Sequence, residues 1–385
     1  MFRGLLRRFQ LNKKKGTELC TKNNHLMTDA IYNDLYLSHN ININVGYLKK
    51  KQLSLLSPLK GPVGLDIGTS HIIVSFQNSD QIMTNIELNA FYKMRLSQIV
   101  YKKWILNNFP NFTTKRFCYI LGYASHPFAH ILHSSLRRPI TGGFISPNEI
   151  ESIQAIQAIL EYILPKPQKQ SELLYFSVPA APFEDSSHLV YHTEVIKRFI
   201  HQIGYHPVPI NEGLAVILSE LHDEGYTGIG ISFGGGMCNA CLSYLSVPVI
   251  TLCIQKGGDY IDQKAGESVG VKKDTMKLIK EQELDLSLPP ANRFQTALHI
   301  FYDDMITSMI TSLKDELCKS DRIPTIKNPI PIVLSGGSII PKGFLEKFTL
   351  ILDQYQLPIA ISKIIVAKKP LESTAIGALI AAITE

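Results

Sequence analysis

One short pattern is written twice into this chain, and the repetition restricts the fold more than any other feature. VGLDI (63–67), a Gly-Thr-Ser tip and HIIVSF (71–76) read as the two strands of a β-hairpin. GIGISF (228–233), three glycines and CNACLSYL (238–245) read the same way, and a further strand, VPVITLCI (247–254), follows. A glycine-tipped hairpin at both positions is what two copies of one α/β unit, facing each other across a cleft, would produce.

The segments between and after the hairpins fit that duplication. Residues 147–164 predict a helix with Ile150, Ile153, Ile156, Ile159, Leu160 and Ile163 on one face. LLYFSVP (173–179) is a strand, 186–203 a helix ended by Gly204, and an extended piece reaches Ile210 before a helix begins at Glu212. IPIVLS (330–335) is a buried strand, followed by a Gly-Gly-Ser turn and a helix over 343–355. KIIVA (363–367) is a last strand and 372–383 a final helix. Residues 78–140 and the mainly helical 260–320 read as insertions into the two units.

At 385 residues the chain has the length of two or three domains, and with 45% hydrophobic residues it can bury a core without staples. Six scattered cysteines read as free thiols in a reducing compartment. Cys238 and Cys241, three apart on a strand, face opposite ways and suit neither a metal nor a disulfide. His188 and His192 are four apart on a helix, but they lack the Glu of a metalloprotease motif and read as ordinary helix histidines. No apolar run reaches the roughly 18 residues of a membrane-spanning helix, and no secretory cleavage pattern is present.

Charge is concentrated at one end. Residues 1–60 carry 11 basic and 3 acidic side chains, whereas the remainder carries 28 basic and 30 acidic ones. The body is therefore a poor nucleic-acid surface, and no nucleic acid is expected as a partner. The first fifteen residues, MFRGLLRRFQLNKKK, place Phe2, Leu5, Leu6 and Phe9 on one stripe with Arg3, Arg7 and Arg8 off it. That is the pattern of a basic amphipathic helix suited to an anionic membrane surface. Residues 16–60 read as a linker or an irregular extension.

Chemistry gathers at the glycine turns. In Asp66-Ile67-Gly68-Thr69-Ser70, a glycine tip lets backbone N–H groups approach phosphate oxygens, Thr69 and Ser70 add donors, and Asp66 could hold a hydrated Mg²⁺. In Ser232-Phe233-Gly234-Gly235-Gly236, three glycines are costly in conformational entropy and suit a close ligand backbone. Gly257-Gly258-Asp259 is a weaker turn of the same kind. Gly336-Gly337-Ser338, between strand and helix, can present N–H groups to a nucleotide.

The order of these segments resembles the actin-like ATPase superfamily, which includes actin, DnaK-type chaperones and sugar kinases. LDIGTSHIIV (65–74) resembles its phosphate-1 segment, PINEGLAVIL (209–218) its connecting helix, ISFGGGMCNACL (231–242) its phosphate-2 segment, IVLSGGSIIPKGF (332–344) its adenosine segment and ESTAIGALIAA (372–382) its closing helix. The resemblance covers 61–385. It implies two duplicated ribonuclease-H-like α/β domains around a nucleotide cleft: 61–210 completed by 366–385, then 211–365, with 1–60 as the basic N-terminal segment. It also implies ATP and Mg²⁺ as cofactors, and roles by position. Asp66 would hold the metal, and Gly68, Thr69 and Ser70 the β-phosphate. Glu212 would orient the attacking water, and Gly234, Gly235 and Gly236 would face the γ-phosphate with Gly257 and Gly258 behind. Gly336, Gly337 and Ser338 would back the adenosine, with Lys277 and Glu281 on the opposite wall.

One departure bears on turnover. The family's phosphate-2 segment usually opens with Asp, where this chain has Ser232, and Met237 and Cys238 stand at the following Thr positions. A hydroxyl lacks the anionic field of a carboxylate, so slow hydrolysis is expected. A chaperone needs a substrate domain after the ATPase body, for which Glu385 leaves no room, and a sugar kinase needs a catalytic Asp that has no candidate. The resemblance is nearest to bacterial MreB-type proteins. It implies self-association into filaments, attachment of residues 1–15 to the inner face of the cell membrane, and a cytoplasmic, cell-shape role. The alternative is a non-polymerising membrane adaptor of the FtsA or PilM kind.

Overall fold

The computed structural model describes residues 61–99, 102–132, 134–181, 187–320, 323–324, 326 and 328–385. The predicted amphipathic helix over 1–15 and the linker over 16–60 lie outside the described residues.

Two five-stranded sheets carry the same topology. In the first, β1 (Val63–Ile67), β2 (His71–Asn78) and β3 (Gln81–Leu88) form an antiparallel meander. β9 (Glu172–Val178) and then β10 (Tyr205–Asn211) add in parallel on the other side of β1, giving the order β10-β9-β1-β2-β3. In the second, β11 (Gly228–Phe233), β12 (Cys238–Tyr244) and β13 (Val247–Ile254) form the meander, and β14 (Ile330–Ser335) and β15 (Ile361–Val366) add in parallel beside β11. β3 corrects the sequence reading: the inserted region begins after Leu88, not at residue 78. The exposed first half of β3 lies at the sheet edge and lacks the continuous apolar run that marked β1 and β11.

The first insertion is a small sheet of β4 (Phe91–Arg95), β5 (Asn111–Thr113) and β6 (Phe117–Leu121) with helices α1 (Lys102–Asn108) and α2 (Ser125–Ile131), followed by a short hairpin, β7 (Ile140–Thr141) and β8 (Phe144–Ile145). Helices α3 (Ile150–Ile163) and α4 (Ser187–Ile203) share one core with β1, β2 and β9, and Phe91, Tyr119 and Ile145 join it. The buried side of α3 is Ser152, Ala155, Ile156, Ile159, Leu160 and Ile163. Ile150, expected on that side, is the first residue of the helix and is 69% exposed. The second core is built on β11, β12, β13 and β14 by α6 (Gly258–Val269), α7 (Lys273–Gln282), the long α8 (Arg293–Lys319) and α9 (Phe344–Leu352). Phe233 anchors it, edge-on to Phe344 at 5.1 Å and to Phe348 at 6.0 Å.

Two helices exchange between the lobes. α5 (Glu212–Glu220) leaves the first sheet at β10 and packs on β11 and β12, whereas α10 (Ser373–Thr384) leaves the second sheet after β15 and packs on β1 and β9. Each crosses a glycine two residues before the equivalent Asp66 and Ser232. A Cβ on Gly64 would lie 2.8 Å from the Cα of Leu379 in α10, and one on Gly230 would lie 2.8 Å from Ile217 in α5. The helices also cross each other where Gly377 meets the backbone of Ala215. Among the described residues, no helix is long and apolar enough to cross a membrane.

Candidate functional site

The tips of both hairpins close in the same way. The Gly68 amide donates to the His71 carbonyl at 2.9 Å, and the Gly234 amide to the Met237 carbonyl at 3.0 Å. The tips meet face to face: a Cβ on Gly235 would stand 2.5 Å from Ser70 Oγ, and one on Gly236 2.7 Å from the Gly143 nitrogen. Glycine at 236 is therefore required by the close approach of backbone across the cleft, whereas a side chain at 235 would displace the Ser70 hydroxyl.

Each tip is pinned from behind. Asn89, fully buried, donates from Nδ2 to the Gly68 carbonyl at 2.8 Å and from its backbone to the Ser70 carbonyl at 2.9 Å. On the other side, Ser338 Oγ and the Gly258 amide both donate to the Gly234 carbonyl, at 2.9 and 3.0 Å, and the Asp259 amide donates to the Gly235 carbonyl at 2.8 Å. Gly257 is packed against the carbonyls of Gly234 and Gly235, so it stands behind the tip and not in the cavity.

A cavity of about 430 Å³ opens between the lobes. Asp66, Gly68, Thr69, Ser70, Glu212, Ser232, Gly234, Gly235, Gly236, Gly258, Lys277, Glu281, Gly336, Gly337 and Ser338 all line it. Of the residues singled out from sequence, Gly257 alone does not. The volume is within the usual range for a small-molecule site.

At its deep end stand two carboxylates. Asp66 Oδ1 accepts from Ser177 Oγ at 2.6 Å, and Glu212 Oε2 accepts from Asn239 Nδ2 at 2.9 Å. Desolvation pushes Asp66 up to about 6, against the hydrogen bond from Ser177. Desolvation, and then the neighbouring Asp66 charge, push Glu212 up to about 8, opposed by the bonds from Asn239 and Ser232. Two carboxylates that resist ionising together favour a cation between them and the ligand. Among the described residues, no group of three or more His, Cys, Asp or Glu side chains is placed to hold a metal ion by itself. A cation here would thus depend on water and ligand oxygens for its remaining shell, as a magnesium ion does. The residues fit that ion.

Elsewhere the lining carries Arg138, Lys277 and Lys280, each paired with a carboxylate that also lines the cavity. His71 lines the cavity, and its imidazole is held near 4 by desolvation and then by the positive charges of Lys277, Arg138 and His126. Lys277 is within ion-pair range of Glu281 at 3.7 Å. Lys280, not identified from sequence, is the lysine of α7 that turns inward. It is buried, and its Nζ reaches Asp262 at 2.8 Å and the Gly258 carbonyl at 3.1 Å. The available signal was its position four residues after Met276, on the helix's core-facing stripe. Ser177, Asn89 and Asn239 were also missed, because their roles come from strand register and not from spacing.

The buried His192 accepts the Ile145 amide at Nδ1, at 3.3 Å. Cys238 faces the second core, whereas Cys241 packs with Val216 and Ile217 of α5, on the opposite side of the sheet. Among the described residues, no cysteine is in a disulfide.

The Volactin family profile matches residues 62–382. The chain belongs to the Volactin family. By sequence, no curated protein matches this Volactin-family chain. By structure, it is similar to the MamK double helical filament, with 15% identity, 84% of this chain and 98% of that chain covered, and a TM-score of 0.60. It is equally similar to AMPPNP-bound MreB5 of Spiroplasma citri, with 16% identity, 85% and 97% coverage, and a TM-score of 0.60. The ethanolamine utilization protein EutJ of Carboxydothermus hydrogenoformans matches at 16% identity, 86% and 98% coverage, and a TM-score of 0.50. These likenesses establish the actin-like ATPase fold, close to MreB-type proteins, as the sequence resemblance implied.

Proposed function

We propose that this chain is an ATP-binding, filament-forming actin-like protein with slow hydrolysis, held at the inner face of the cell membrane by residues 1–15. The observation that carries the reading is the opposition of the two glycine tips across the cavity, with two carboxylates at its deep end. In this reading the domains are 61–210 with 366–385, and 211–365, and they close on the nucleotide. Thr69, Ser70 and the tip amides bind phosphate oxygens, and Gly336, Gly337 and Ser338 back the adenosine opposite Lys277 and Glu281. Asp66, held by Ser177, would carry the magnesium ion through water, and that ion would offset phosphate charge. Glu212, held by Asn239, orients the attacking water. Neighbours solved with AMPPNP and with ADP, and MamK as a filament, support the reading.

Ser232 is the residue that favours a second reading, in which nucleotide is a structural ligand of a non-polymerising adaptor. Calorimetry with ATP and Mg²⁺ on wild type and Asp66→Ala tests the site, and equal affinity in both, or none in either, would sink the assignment. Pelleting with ATP separates filament from adaptor. Flotation with anionic vesicles tests residues 1–15: full-length protein floats, less at high salt, and a chain starting at Lys60 stays down.

A further inference from the structure

Met237 and Arg138 do something the nucleotide reading does not use. Arg138 belongs to the first lobe, just before β7, and Asp259 to the first turn of α6 in the second. Arg138 Nη1 lies 2.6 and 2.7 Å from the two Asp259 carboxylate oxygens, across the cleft. Five residues on, Gly143 has φ +85°, and a Cβ there would strike the Met237 side chain. Beside it Phe144 and Ala180 of the first lobe enclose Met237 and Cys253 of the second in one apolar cluster, with Met237 only 4% exposed. The segment 138–144 is thus fastened to the second lobe at a polar end and an apolar end. Both fastenings reach the phosphate-2 tip, since the Asp259 amide is bonded to the Gly235 carbonyl and Met237 closes the hairpin.

We propose that this strap is an interlobe lock whose opening sets the rate at which nucleotide leaves the cleft. The proposal rests on the nucleotide reading above. Arg138, Gly143, Met237 and Asp259 all line the same cavity as the two tips. Lobes that swing apart about the α5–α10 crossing must part the ion pair and expose the methionine. The ion pair is partly exposed, at 20% and 35% for its side chains, so salt weakens it, whereas the apolar end is insensitive to salt. The side chain that stands where the family has a threonine is thereby a fastening between lobes as well as a lost hydroxyl.

The test is release of a fluorescent ADP analogue from full-length protein, chased with excess unlabelled ATP. Arg138→Ala, the nearly isosteric Asp259→Asn, and Met237→Thr should each speed release about tenfold, and Arg138→Asp combined with Asp259→Arg should return it to within about threefold of wild type. Unchanged rates in the single variants, or a charge-exchanged protein as fast as they are, overturn the proposal. If wild type retains no analogue, the nucleotide reading fails, and the lock is judged on nucleotide-free protein by hydrogen exchange. Amides of 143–145 and 234–237 should then exchange faster in Arg138→Ala and Met237→Thr while those of β14 stay protected, and equal exchange in wild type and variants overturns the lock.

Discussion

The side-chain amide of Asn239 bridges Glu212 to the backbone of the opposite lobe. Its nitrogen lies 2.9 Å from Glu212 Oε2, and its oxygen accepts the Ala180 amide at 2.9 Å. Asn239 sits directly across the β11–β12 ladder from Ser232, so the strand pairing that places one deep cavity residue also aims the other. An amide is suited to this position because it donates and accepts at once.

Asn239→Ala is expected to leave the Ala180 amide and the Glu212 carboxylate without that partner, at a cost of about 1 to 3 kcal/mol in stability. If Glu212 orients water, phosphate release should fall about tenfold or more while nucleotide affinity changes little. Denaturant unfolding and single-turnover phosphate release check the two halves separately. Asn239→Ala with full turnover would remove Glu212 orientation from the account.

His192 is expected to make the protein sensitive to acid. Burial holds its imidazole near 4, below the ordinary 6.5, and protonation would also remove the Nδ1 acceptor used by Ile145. The unfolded chain therefore binds the proton more readily, and the contribution of this group is present above pH 6.5 and lost as pH falls toward 4. At pH 5 the loss is about 2 kcal/mol relative to pH 7.5. His192→Asn keeps an acceptor without the titration, so its stability should fall less than that of wild type between those pH values. Parallel stability curves for the two proteins would exclude His192 as a source of the slope.

The crossing of α5 and α10 admits no side chain at residue 377. A Cβ on Gly377 would stand 2.9 Å from the Cα of Ala215 and closer still to its carbonyl. Gly377→Ala should force the helices apart and cost about 3 kcal/mol, the upper range for overpacking. Gly270 offers a contrast. It has open space around it and φ +72° as the cap of α6, so Gly270→Ala strains only the backbone and should cost about 1 kcal/mol. Thermal unfolding of both variants distinguishes crowding from left-handed strain, and equal costs would count against the close crossing.

The hairpins and most of the cavity lining were legible because both depend on local pattern. A glycine tip after an unbroken apolar strand, repeated with the same spacing of Asp66 or Ser232 before it, is visible in a single sequence. What could not be read is pairing. Ser177 reaches Asp66 because β9 lies parallel to β1, Asn239 reaches Glu212 because β12 pairs with β11, and Asn89 reaches Gly68 because β3 returns beside β2. No spacing in the chain encodes those registers. Lys280 was hidden for a different reason: a lysine on a core-facing stripe reads as an error of phase until the buried Asp262 is seen beside it. Met237 was read as a missing hydroxyl, and only its packing against Gly143 and Phe144 gives it a positive role.

Ser232 is the residue on which the proposed slow hydrolysis turns. It is 5% exposed, and its hydroxyl bonds to Glu212 and lowers that group's pKa, where a carboxylate would repel it. Ser232→Asp would place a third carboxylate beside two that already resist ionising together. Without a divalent cation this variant should be less stable than wild type near neutral pH, because burying an uncompensated charge is costly. With Mg²⁺ and ATP the added charge has a partner, so the stability gap should close and turnover should rise. Glu212→Ala should lower turnover in both backgrounds. Thermal unfolding with and without Mg²⁺, beside phosphate release, checks all three. A Ser232→Asp protein whose stability ignores Mg²⁺ would separate this position from the metal. A wild-type rate on the order of 10 per second, ordinary for an enzyme, would mean that the hydroxyl is no handicap.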